Sequence, residues 1–394
     1  MRVQENANIV ITAAARTPIT PQNGEFKNLE CYELGSVVLK ELCKRSGLEV
    51  DEVSSVIMGN VLTAGVGMNP ARQASIKAGL SEATPAWLVN QVCGSGLRSV
   101  IIGTQMILTG EADVVLAGGQ ENMSRARHAV LARFGKKLGA IELLDTMMFD
   151  GLTDAFSGCH MGVTSENIAR HYGISREEQD AYAYQSQMRA KEAAEQGRFE
   201  EEIVLVETDG ETVKRDTAPR PDLTKDKLST LKPAFMEGGT VTAGNSSSID
   251  DGAAGVALMT EEEAGSRNIT PLARIVSWAQ AGVDPQVMGI GPAPASRLAM
   301  KRAGWSNGDL DLIEENEAFA AQTLYVLREM DWPHEKVNVN GGAIALGHPP
   351  IGASGARLLV TLLHAMKARD KKRGLVTLCI GGGMGIAMCI ERME

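Results

Sequence analysis

The stretch Cys93–Val100 reads C-G-S-G-L-R-S-V, and a similar stretch, G-A-S-G-A-R-L-L-V, recurs at Gly352–Val360. Two more patterns recur in the same order along the chain, S-V-I-M-G-N with D-L-I-E-E-N and V-V-L-A-G-G with L-C-I-G-G-G. Three matches in one order indicate an internal duplication. Because both copies alternate apolar strand-like runs with amphipathic helical stretches, we predict a duplicated α/β domain with buried, largely parallel strands. A groove between two such copies is a natural place for a ligand site.

The middle of the chain, from about Ser124 to Gly244, belongs to neither copy. It contains a clearly marked helix, in which Ser175 is the N-cap, Glu178 completes a capping box and Gly197 is the stop signal. We interpret this segment as an inserted loop domain that is able to cover a ligand groove. The predicted organisation is a first half from residues 1–123 plus 245–270, the insertion at 124–244, and a second half at 271–394.

Composition excludes several classes of function. The 394 residues carry a formal net charge of -10, whereas binding to nucleic acid or to a membrane surface needs a net basic face. Lysine and arginine do concentrate between Lys214 and Lys232, although such a cluster usually forms a solvated charged loop. Any anionic ligand must therefore be bound locally.

The N-terminus, M-R-V-Q-E-N-A-N-I-V-I-T, lacks the apolar core of a signal peptide and the composition of a transit sequence. No run approaches the roughly 18 apolar residues that a membrane span needs. The six cysteines show neither C-x-x-C pairs nor a disulfide-framework spacing, which indicates reduced thiols in a cytoplasmic protein. The histidines are scattered without ligand spacing, so we expect no metal site.

Cys93 lies in N-Q-V-C-G-S-G-L-R, after an apolar run and directly before a stretch of good helical periodicity. A thiol at a helix N-terminus is favoured as the reactive thiolate, and the flanking glycines leave room for substrate and for N–H donors. Most cytoplasmic cysteines are nevertheless small buried hydrophobes, and C-G-S-G alone does not decide between the two interpretations.

A thiol nucleophile needs a base, and the best candidate is His348 in the Gly-rich stretch N-G-G-A-I-A-L-G-H-P. Cys379 ends an apolar strand that runs into glycines, where the simplest reading is a core cysteine beside a tight turn. Asn316, in E-E-N-E-A-F-A, ends another strand, a position suited to capping or to holding a water. The G-G-G-M-G run does not fit a dinucleotide fingerprint.

The combination of N-Q-V-C-G-S-G-L-R, N-E-A-F-A, N-G-G-A-I-A-L-G-H-P and L-C-I-G-G-G-M-G-I-A resembles the thiolase family. The resemblance covers essentially the whole chain, and the motifs come in the family's order. It implies the thiolase fold: two duplicated βαβαβαββ domains that form a five-layered α-β-α-β-α core, with an inserted loop domain. It also implies a homo-oligomer, either a dimer or a tetramer built as a dimer of dimers.

By that resemblance, His348 takes the proton from Cys93, which attacks an acyl-CoA and becomes an acyl thioester as CoA leaves. Cys379 then removes a proton from the α-carbon of a second acetyl-CoA, and the carbanion attacks the acylated cysteine to give a 3-ketoacyl-CoA. The enolate oxygen would bind His348 and a water held by Asn316. The tetrahedral oxygen would bind the backbone N–H groups of Cys93 and Gly381. No metal or redox cofactor is implied, and the ligands are acetyl-CoA, acetoacetyl-CoA and CoA.

The stretch R-P-D-L-T-K-D-K-L-S-T-L-K-P-A-F resembles the family's CoA-binding segment, with Arg220 contacting the nucleotide phosphates and Phe235 lining the path of the adenine or pantetheine. Ser247 matches the serine that bonds the pantetheine, although a simple turn serine would look the same. His160 and Met161 match residues of the acyl and pantetheine pocket in the biosynthetic, acetoacetyl-CoA-forming branch.

The implied activity is therefore that of an acetyl-CoA C-acetyltransferase, since a bulky Met161, helped by Met288, disfavours longer acyl chains. One alternative is a degradative 3-ketoacyl-CoA thiolase of broader chain length. Another, from a different class, is a non-catalytic carrier of CoA thioesters or lipids on the same scaffold. A decarboxylating ketoacyl synthase fits less well, because that chemistry normally uses a second histidine where this chain has Asn316.

The stretch around the histidine departs from the family's G-H-P-x-G-x-S-G. This chain has G-H-P-P-I-G-A-S-G, with one additional residue, most simply Pro350. Tandem prolines stiffen a loop, but an insertion beside the base can also shift it. A displacement near 1 Å can cost about a hundredfold in rate. Two milder departures are Cys159, where an aromatic residue is common, and the residue before Glu121.

Overall fold

The computed structural model describes residues 7–348 and 350–393, in which ten strands form one mixed sheet. The strands of the chain are β1 (Ile9–Arg16), β2 (Thr20–Pro21), β3 (Ser55–Gly59), β4 (Ala86–Val89), β5 (Val115–Asn122), β6 (His128–Ala129), β7 (Leu144–Asp145), β8 (Val206–Glu207), β9 (Thr212–Val213), β10 (Asp250–Thr260), β11 (Ala273–Gly282), β12 (Leu312–Glu315), β13 (Arg373–Ile380) and β14 (Met384–Arg392). The α-helices are α1 (Cys31–Ser46), α2 (Pro70–Lys77), α3 (Ser95–Leu108), α4 (Met161–Tyr172), α5 (Arg176–Glu195), α6 (Lys225–Ser229), α7 (Glu261–Ser266), α8 (Pro292–Ala303), α9 (Ala320–Met330), α10 (Ala343–Leu346) and α11 (Ser354–Ala368).

The large sheet consists of two half-sheets joined edge to edge. Its order is β12-β13-β14-β11-β1-β10-β5-β3-β4, with β2 beside β10. Strands β1 and β11 meet only briefly, where Val10 pairs with Arg274 and Ile11 with Ala273. The two halves share a pattern, because β3 pairs in parallel with β5 as β12 does with β13. The duplication that the sequence predicts is thus visible in the strand pairing.

The expectation of largely parallel strands is wrong. Only the pairs β3–β4, β3–β5 and β12–β13 of the large sheet are parallel, and the other described pairs are antiparallel. Continuous apolar runs show that a strand is covered on both faces, which is usual for parallel sheets. In this protein helices cover both faces of antiparallel strands as well. The apolar runs therefore indicate that a strand is buried, but they do not indicate whether it pairs in parallel or antiparallel.

Helices α3 and α11 form the central layer. Their apolar side chains share one core with both half-sheets, for example Leu97 and Leu358 with Ile57 and Val376. Helices α1 and α2 cover the outer face of the first half, and α8 and α9 cover that of the second. This is the five-layered α-β-α-β-α arrangement that the family resemblance implies. The paired starts of α3 and α11 place Cys93 and His348 at the same end of the central layer.

The inserted segment carries α4, α5 and α6 and two small hairpins, β6–β7 and β8–β9. Helix α5 begins as predicted, because Ser175 accepts from the Glu178 N–H and the Glu178 carboxylate accepts from the Ser175 N–H. Although its sequence is polar, α5 buries Tyr182 and Ala183 against the second half. No helix in residues 7–348 and 350–393 is long and apolar enough to cross a membrane.

Candidate active site

A cavity of about 180 Å³ lies where the two halves and the inserted segment meet. Eight of the ten residues that the sequence nominates line it, together with side chains that make it mainly apolar. The residues most relevant here are Val92, Cys93, His160, Met161, Phe235, Ser247, Met288, Phe319, His348, Cys379 and Gly381. Reactive groups that are far apart in sequence are thus gathered around one apolar space, as in most small-molecule sites.

Cys93 occupies a tight turn two residues before α3 begins. The preceding residue, Val92, has a φ of 48°, a left-handed conformation that a β-branched residue adopts only under strain. Ser95 holds the turn, because its hydroxyl donates to the Val92 carbonyl at 2.6 Å and accepts from the Gln91 N–H at 2.8 Å. The strained turn brings the Cys93 thiol into the cavity.

The expected thiolate is not the resting form of Cys93. Burial raises the pKa of its thiol to about 11, while the N–H groups of Gly381 and of Cys93 itself act in the opposite direction. The first N–H groups of the α3 turn do not help, since those of Gly94 and Ser95 already donate to the carbonyls of Gln91 and Val92. Cys93 therefore needs a base before it can attack.

His348 is held on both ring nitrogens. Its Nε2 lies 3.3 Å from Nδ2 of Asn316, and its Nδ1 lies 3.0 Å from Oγ of Ser354. Its backbone N–H also donates to the Ser248 carbonyl at 3.3 Å. With the Asn316 amide donating to Nε2, the corresponding tautomer of the ring carries its proton on Nδ1, where Ser354 Oγ accepts it.

The loop after His348 is fixed on its far side by contacts with the first half of the chain. Pro349 lies outside the described residues, but Pro350, to which the sequence assigns the additional residue, is buried beside Gly252. Beyond it, the Gly352 N–H donates at 3.1 Å to the carboxylate of Glu121, which is fully buried. Ser354 then reaches His348. Glu121 thus anchors the far side of the loop to the first half of the chain.

Asn316 follows β12 and is fully buried. Among the described residues, no protein group bonds its Oδ1, although that atom is shielded from bulk solvent. A buried acceptor of this kind needs a hydrogen-bond donor, and a water is the simplest one. Asn316 Oδ1 is therefore a suitable acceptor for a water at this position.

Cys379 is buried near the end of β13. Burial raises the pKa of its thiol well above the usual range, and the nearby Cys93 and Glu315 act in the same direction. The strand turns sharply just beyond it, and Gly383 has a φ of 86° in a space where a side chain would meet the Val283 carbonyl. At rest Cys379 is thus a thiol that holds its proton firmly.

The residues nominated for binding CoA divide into two groups. His160, Met161, Phe235 and Ser247 line the cavity, and the His160 ring stacks on Phe235 with centroids 4.7 Å apart. Arg220 is exposed and lies outside the cavity lining, although its charge acts on the buried Asp250. An arginine that contacts nucleotide phosphates is expected outside an acyl cavity, because the phosphates are distant from the thioester.

His160 is the N-cap of α4 and accepts the Gly162 N–H on Nδ1 at 3.0 Å. Burial lowers its pKa, so the ring is neutral at physiological pH. Ser247 donates its hydroxyl to the Ala318 carbonyl at 3.0 Å. These contacts fix two polar groups on the cavity wall without placing a charge there.

Three polar residues of the site have no role in the sequence analysis. Ser354 bonds His348 itself, Glu121 accepts from the Gly352 N–H in the loop after His348, and Glu317, which follows Asn316, accepts from Asn338. The repeat contains a signal for the first, because Ser95 in C-G-S-G and Ser354 in G-A-S-G occupy corresponding positions at the starts of α3 and α11. In the described residues, no group of three or more His, Cys, Asp and Glu side chains has the arrangement of a metal site.

The model of the thiolase N-terminal domain matches residues 9–262, and the model of the thiolase C-terminal domain matches residues 269–392. The acetyl-CoA acetyltransferase of Paracoccus denitrificans is 56% identical over 387 residues, which are 97% of this chain and 99% of that protein. That of Rhizobium meliloti is 56% identical over 392 residues, 98% of this chain and 100% of its own. The crystal structure of the Bacillus anthracis acetyl-CoA acetyltransferase superposes with a TM-score of 0.96 at 43% identity, and the match covers 99% of this chain and 100% of that one.

Proposed function

This chain belongs to the thiolase family, and we propose that it is an acetyl-CoA acetyltransferase, which reversibly joins two acetyl-CoA into acetoacetyl-CoA and CoA. The observation that carries the proposal is that Cys93, His348 and Cys379 line one apolar cavity and that Asn316 contacts His348 beside it. Full-length relatives of the same activity support it.

The first half of the reaction transfers an acetyl group to Cys93. His348 takes the proton of the Cys93 thiol on Nε2 and so gives up the hydrogen bond that this nitrogen accepts from Asn316 Nδ2. A base is needed because the pKa of the thiol is about 11. The sulfur attacks the thioester carbon of acetyl-CoA, and the CoA thiolate leaves. Cys379 holds its proton at rest, so it can pass that proton to the departing CoA thiolate and become a thiolate itself.

The second half forms the carbon–carbon bond. The Cys379 thiolate removes a proton from the α-carbon of a second acetyl-CoA, which restores the thiol. The resulting carbanion attacks the acetyl-cysteine, and the tetrahedral intermediate releases the Cys93 sulfur. Protonated His348 returns its proton to that sulfur, so every group ends as it began. Thiolysis runs through the same steps in reverse.

Two oxyanions form in this cycle, and separate donors stabilise them. The N–H groups of Gly381 and Cys93 already approach the Cys93 sulfur, where the tetrahedral oxygen develops. The enolate oxygen of the second acetyl-CoA would bind His348 and the water on Asn316. Neither oxyanion requires a metal, and we propose CoA thioesters and CoA as the only ligands.

The direct experiment is to mix the protein with acetoacetyl-CoA and CoA and to follow the loss of the ketothioester. The proposed function predicts turnover at rates typical of enzymes, from about 1 to 10³ per second. A carrier of CoA thioesters would bind acetoacetyl-CoA without consuming it. Absence of turnover, or equal turnover by a Cys93→Ser variant, would contradict the catalytic proposal.

Chain length tests the specificity. Met161 and Met288 are buried in one apolar cluster with Phe319 and Cys379 at the cavity wall. We expect Met161→Ala to raise the rate on a six-carbon ketoacyl-CoA, relative to acetoacetyl-CoA, by at least about tenfold, since one or two methylenes change selectivity by this amount. Steady-state kcat/KM on both substrates measures the ratio.

The matched control for chain length is Met300→Ala, because Met300 is equally buried but lies on α8 in the core of the second half. It should leave the ratio unchanged. A wild type that already cleaves the six-carbon substrate as fast as acetoacetyl-CoA would instead support the degradative alternative.

Assembly into a homotetramer is part of the proposal. The segment between β6 and β7 exposes large apolar side chains, of which Leu131, Phe134 and Leu138 are 83%, 89% and 89% exposed. A protein rarely leaves such side chains in water unless another surface covers them, and a second copy is the partner that the family implies. Sedimentation of Phe134→Asp should show smaller particles than the wild type. Equal sedimentation would contradict assembly through this segment.

The cytoplasmic location rests on the sequence grounds given above. The six cysteines are unpaired in the described structure, which is compatible with a reducing compartment. Fractionation of the producing cells tests this location, and recovery of the protein outside the cytoplasm would contradict it.

A further inference from the structure

A buried carboxylate lies next to the catalytic machinery without a role in the reaction. Glu317 directly follows Asn316 and is 1% exposed. It accepts four hydrogen bonds, from Tyr182 Oη at 2.9 Å, Ser186 Oγ at 2.6 Å, Asn338 Nδ2 at 2.9 Å and the Ile344 N–H at 3.1 Å. All four donors are neutral, so the carboxylate serves to bind polar groups and not to balance a cation.

These donors lie on the inserted segment and on the stretch that leads to His348. Tyr182 and Ser186 lie on α5 of the inserted segment. Ile344 lies in α10, which ends two residues before His348. A single carboxylate therefore joins the backbone at Asn316, the helix that leads to His348, and α5.

The glycines of N-G-G-A-I-A-L-G-H-P are explained by this arrangement. A Cβ on Gly342 would lie 2.2 Å from the carboxyl group of Glu317, and a Cβ on Gly341 would lie 2.6 Å from the Ser186 carbonyl. Gly341 also has a φ of 80°. The loop before His348 can thus approach Glu317 and α5 only because it has no side chains there.

Helix α5 holds the same loop at a second place. Gln187 donates its side-chain amide to the Ile344 carbonyl at 3.0 Å and accepts the Arg220 N–H at 2.9 Å. Arg189 donates to the Val337 carbonyl at 2.7 Å. The helix is therefore a rigid support between the segment nominated for CoA binding and the loop that carries the base.

We propose that Glu317 is a positioning residue, which sets the contact between Asn316 and His348 by fixing both of their loops to α5. The inference rests on the proposed function, because the contact matters only if His348 is the base for Cys93. The distance at stake is the 3.3 Å between Asn316 Nδ2 and His348 Nε2. A shift of about 1 Å in such a contact costs about a hundredfold in rate.

The test is Glu317→Gln, which keeps the size of the side chain. Tyr182 and Asn338 bond one carboxylate oxygen, while Ser186 and Ile344 bond the other, so a single amide leaves one of these pairs facing an NH₂ group. We expect kcat for thiolysis of acetoacetyl-CoA to fall about 10- to 100-fold, with KM within about threefold of the wild type.

A second readout separates positioning from mere loss of stability. The rate at which iodoacetamide alkylates Cys93 is measured against pH, because it depends on the base. For Glu317→Gln we expect the rate at neutral pH to fall toward that of a His348→Gln variant. Tyr182→Phe combined with Ser186→Ala removes only the α5 donors and should lower kcat about tenfold.

The matched control is Glu202→Gln, which changes another buried carboxylate, one that pairs with Arg16 at 2.7 Å. It should change the melting temperature but leave kcat per folded molecule within about twofold. The inference is overturned if Glu317→Gln keeps the kcat and the alkylation profile of the wild type and the Tyr182→Phe, Ser186→Ala double variant does so too. If the wild-type protein does not catalyse thiolysis, the proposed function is refuted. The pH profile of Cys93 alkylation would then still test whether Glu317 positions His348.

Discussion

Cys379→Ala is expected to acetylate itself at a measurable rate while losing condensation and thiolysis by at least about 10³-fold. The first half of the reaction needs Cys93 and His348, and water can protonate the departing CoA thiolate in place of Cys379. The second half has no substitute, because the α-proton of acetyl-CoA requires a thiolate inside the cavity. General acid–base groups contribute about 10²- to 10⁴-fold, which sets the size of the loss.

Two assays on the same variant separate the halves of the reaction. Exchange of labelled CoA into acetyl-CoA reports the acetylation of Cys93, and formation of acetoacetyl-CoA reports the condensation. The matched control is Cys389→Ala, which removes a fully buried thiol from β14, the strand next to that of Cys379. Condensation by Cys379→Ala at the rate of this control would contradict the role of Cys379.

His348→Gln is expected to lower kcat by about 10²- to 10⁴-fold in both directions, because Cys93 loses its base. The variant also exposes the intrinsic pKa of the Cys93 thiol, which burial raises to about 11. Below that pKa the thiolate fraction rises tenfold with each pH unit. Alkylation of Cys93 in the variant should therefore be slow at pH 7 and climb steadily toward pH 11.

In the wild type the same alkylation should be faster at neutral pH, because His348 can take the proton. His364→Gln is the matched control, since His364 also lies in the second half, on α11, but outside the cavity. The assignment of the base would be wrong if alkylation of His348→Gln follows the profile of the wild type and of this control.

Much of the fold was predictable because the sequence contains an internal duplication, so each half supports the interpretation of the other. Matching motifs such as C-G-S-G and G-A-S-G identify the corresponding turns, which fixes the duplication and the central layer. The Ser175 capping box and the Gly197 stop predict α5 closely, because caps are local chemistry. Strand direction was not predictable from apolar runs, because burial on both faces does not depend on direction.

Of the residues around the cavity, only those that lie in recognisable sequence motifs were predictable. Cys93, His348, Asn316 and Cys379 stand in recognisable stretches. The structure places Cys93, His348 and Cys379 around one cavity and Asn316 against His348. The resting state of Cys93 was not predictable, because it depends on which N–H groups the turn has already used.

The residues that hold the catalytic residues in place were the hardest to predict from the sequence. Glu317 binds Tyr182 and Ser186, which are more than a hundred residues away and lie on a helix whose surface pattern is polar. No local motif connects these residues, because their contact arises only when the inserted segment folds onto the second half. Glu121 and Gly352 are likewise joined only by the fold.

The central claim is that Cys93 carries the acetyl group between the two halves of the reaction. The most direct measurement is to quench the protein with acid after mixing with acetyl-CoA, digest it and find the acetylated peptide by mass spectrometry. We expect one acetyl group per chain, on the peptide that contains Cys93, and this group should be lost when CoA is added. Acetylation of Cys379 instead, or none in a preparation that cleaves acetoacetyl-CoA, would contradict it.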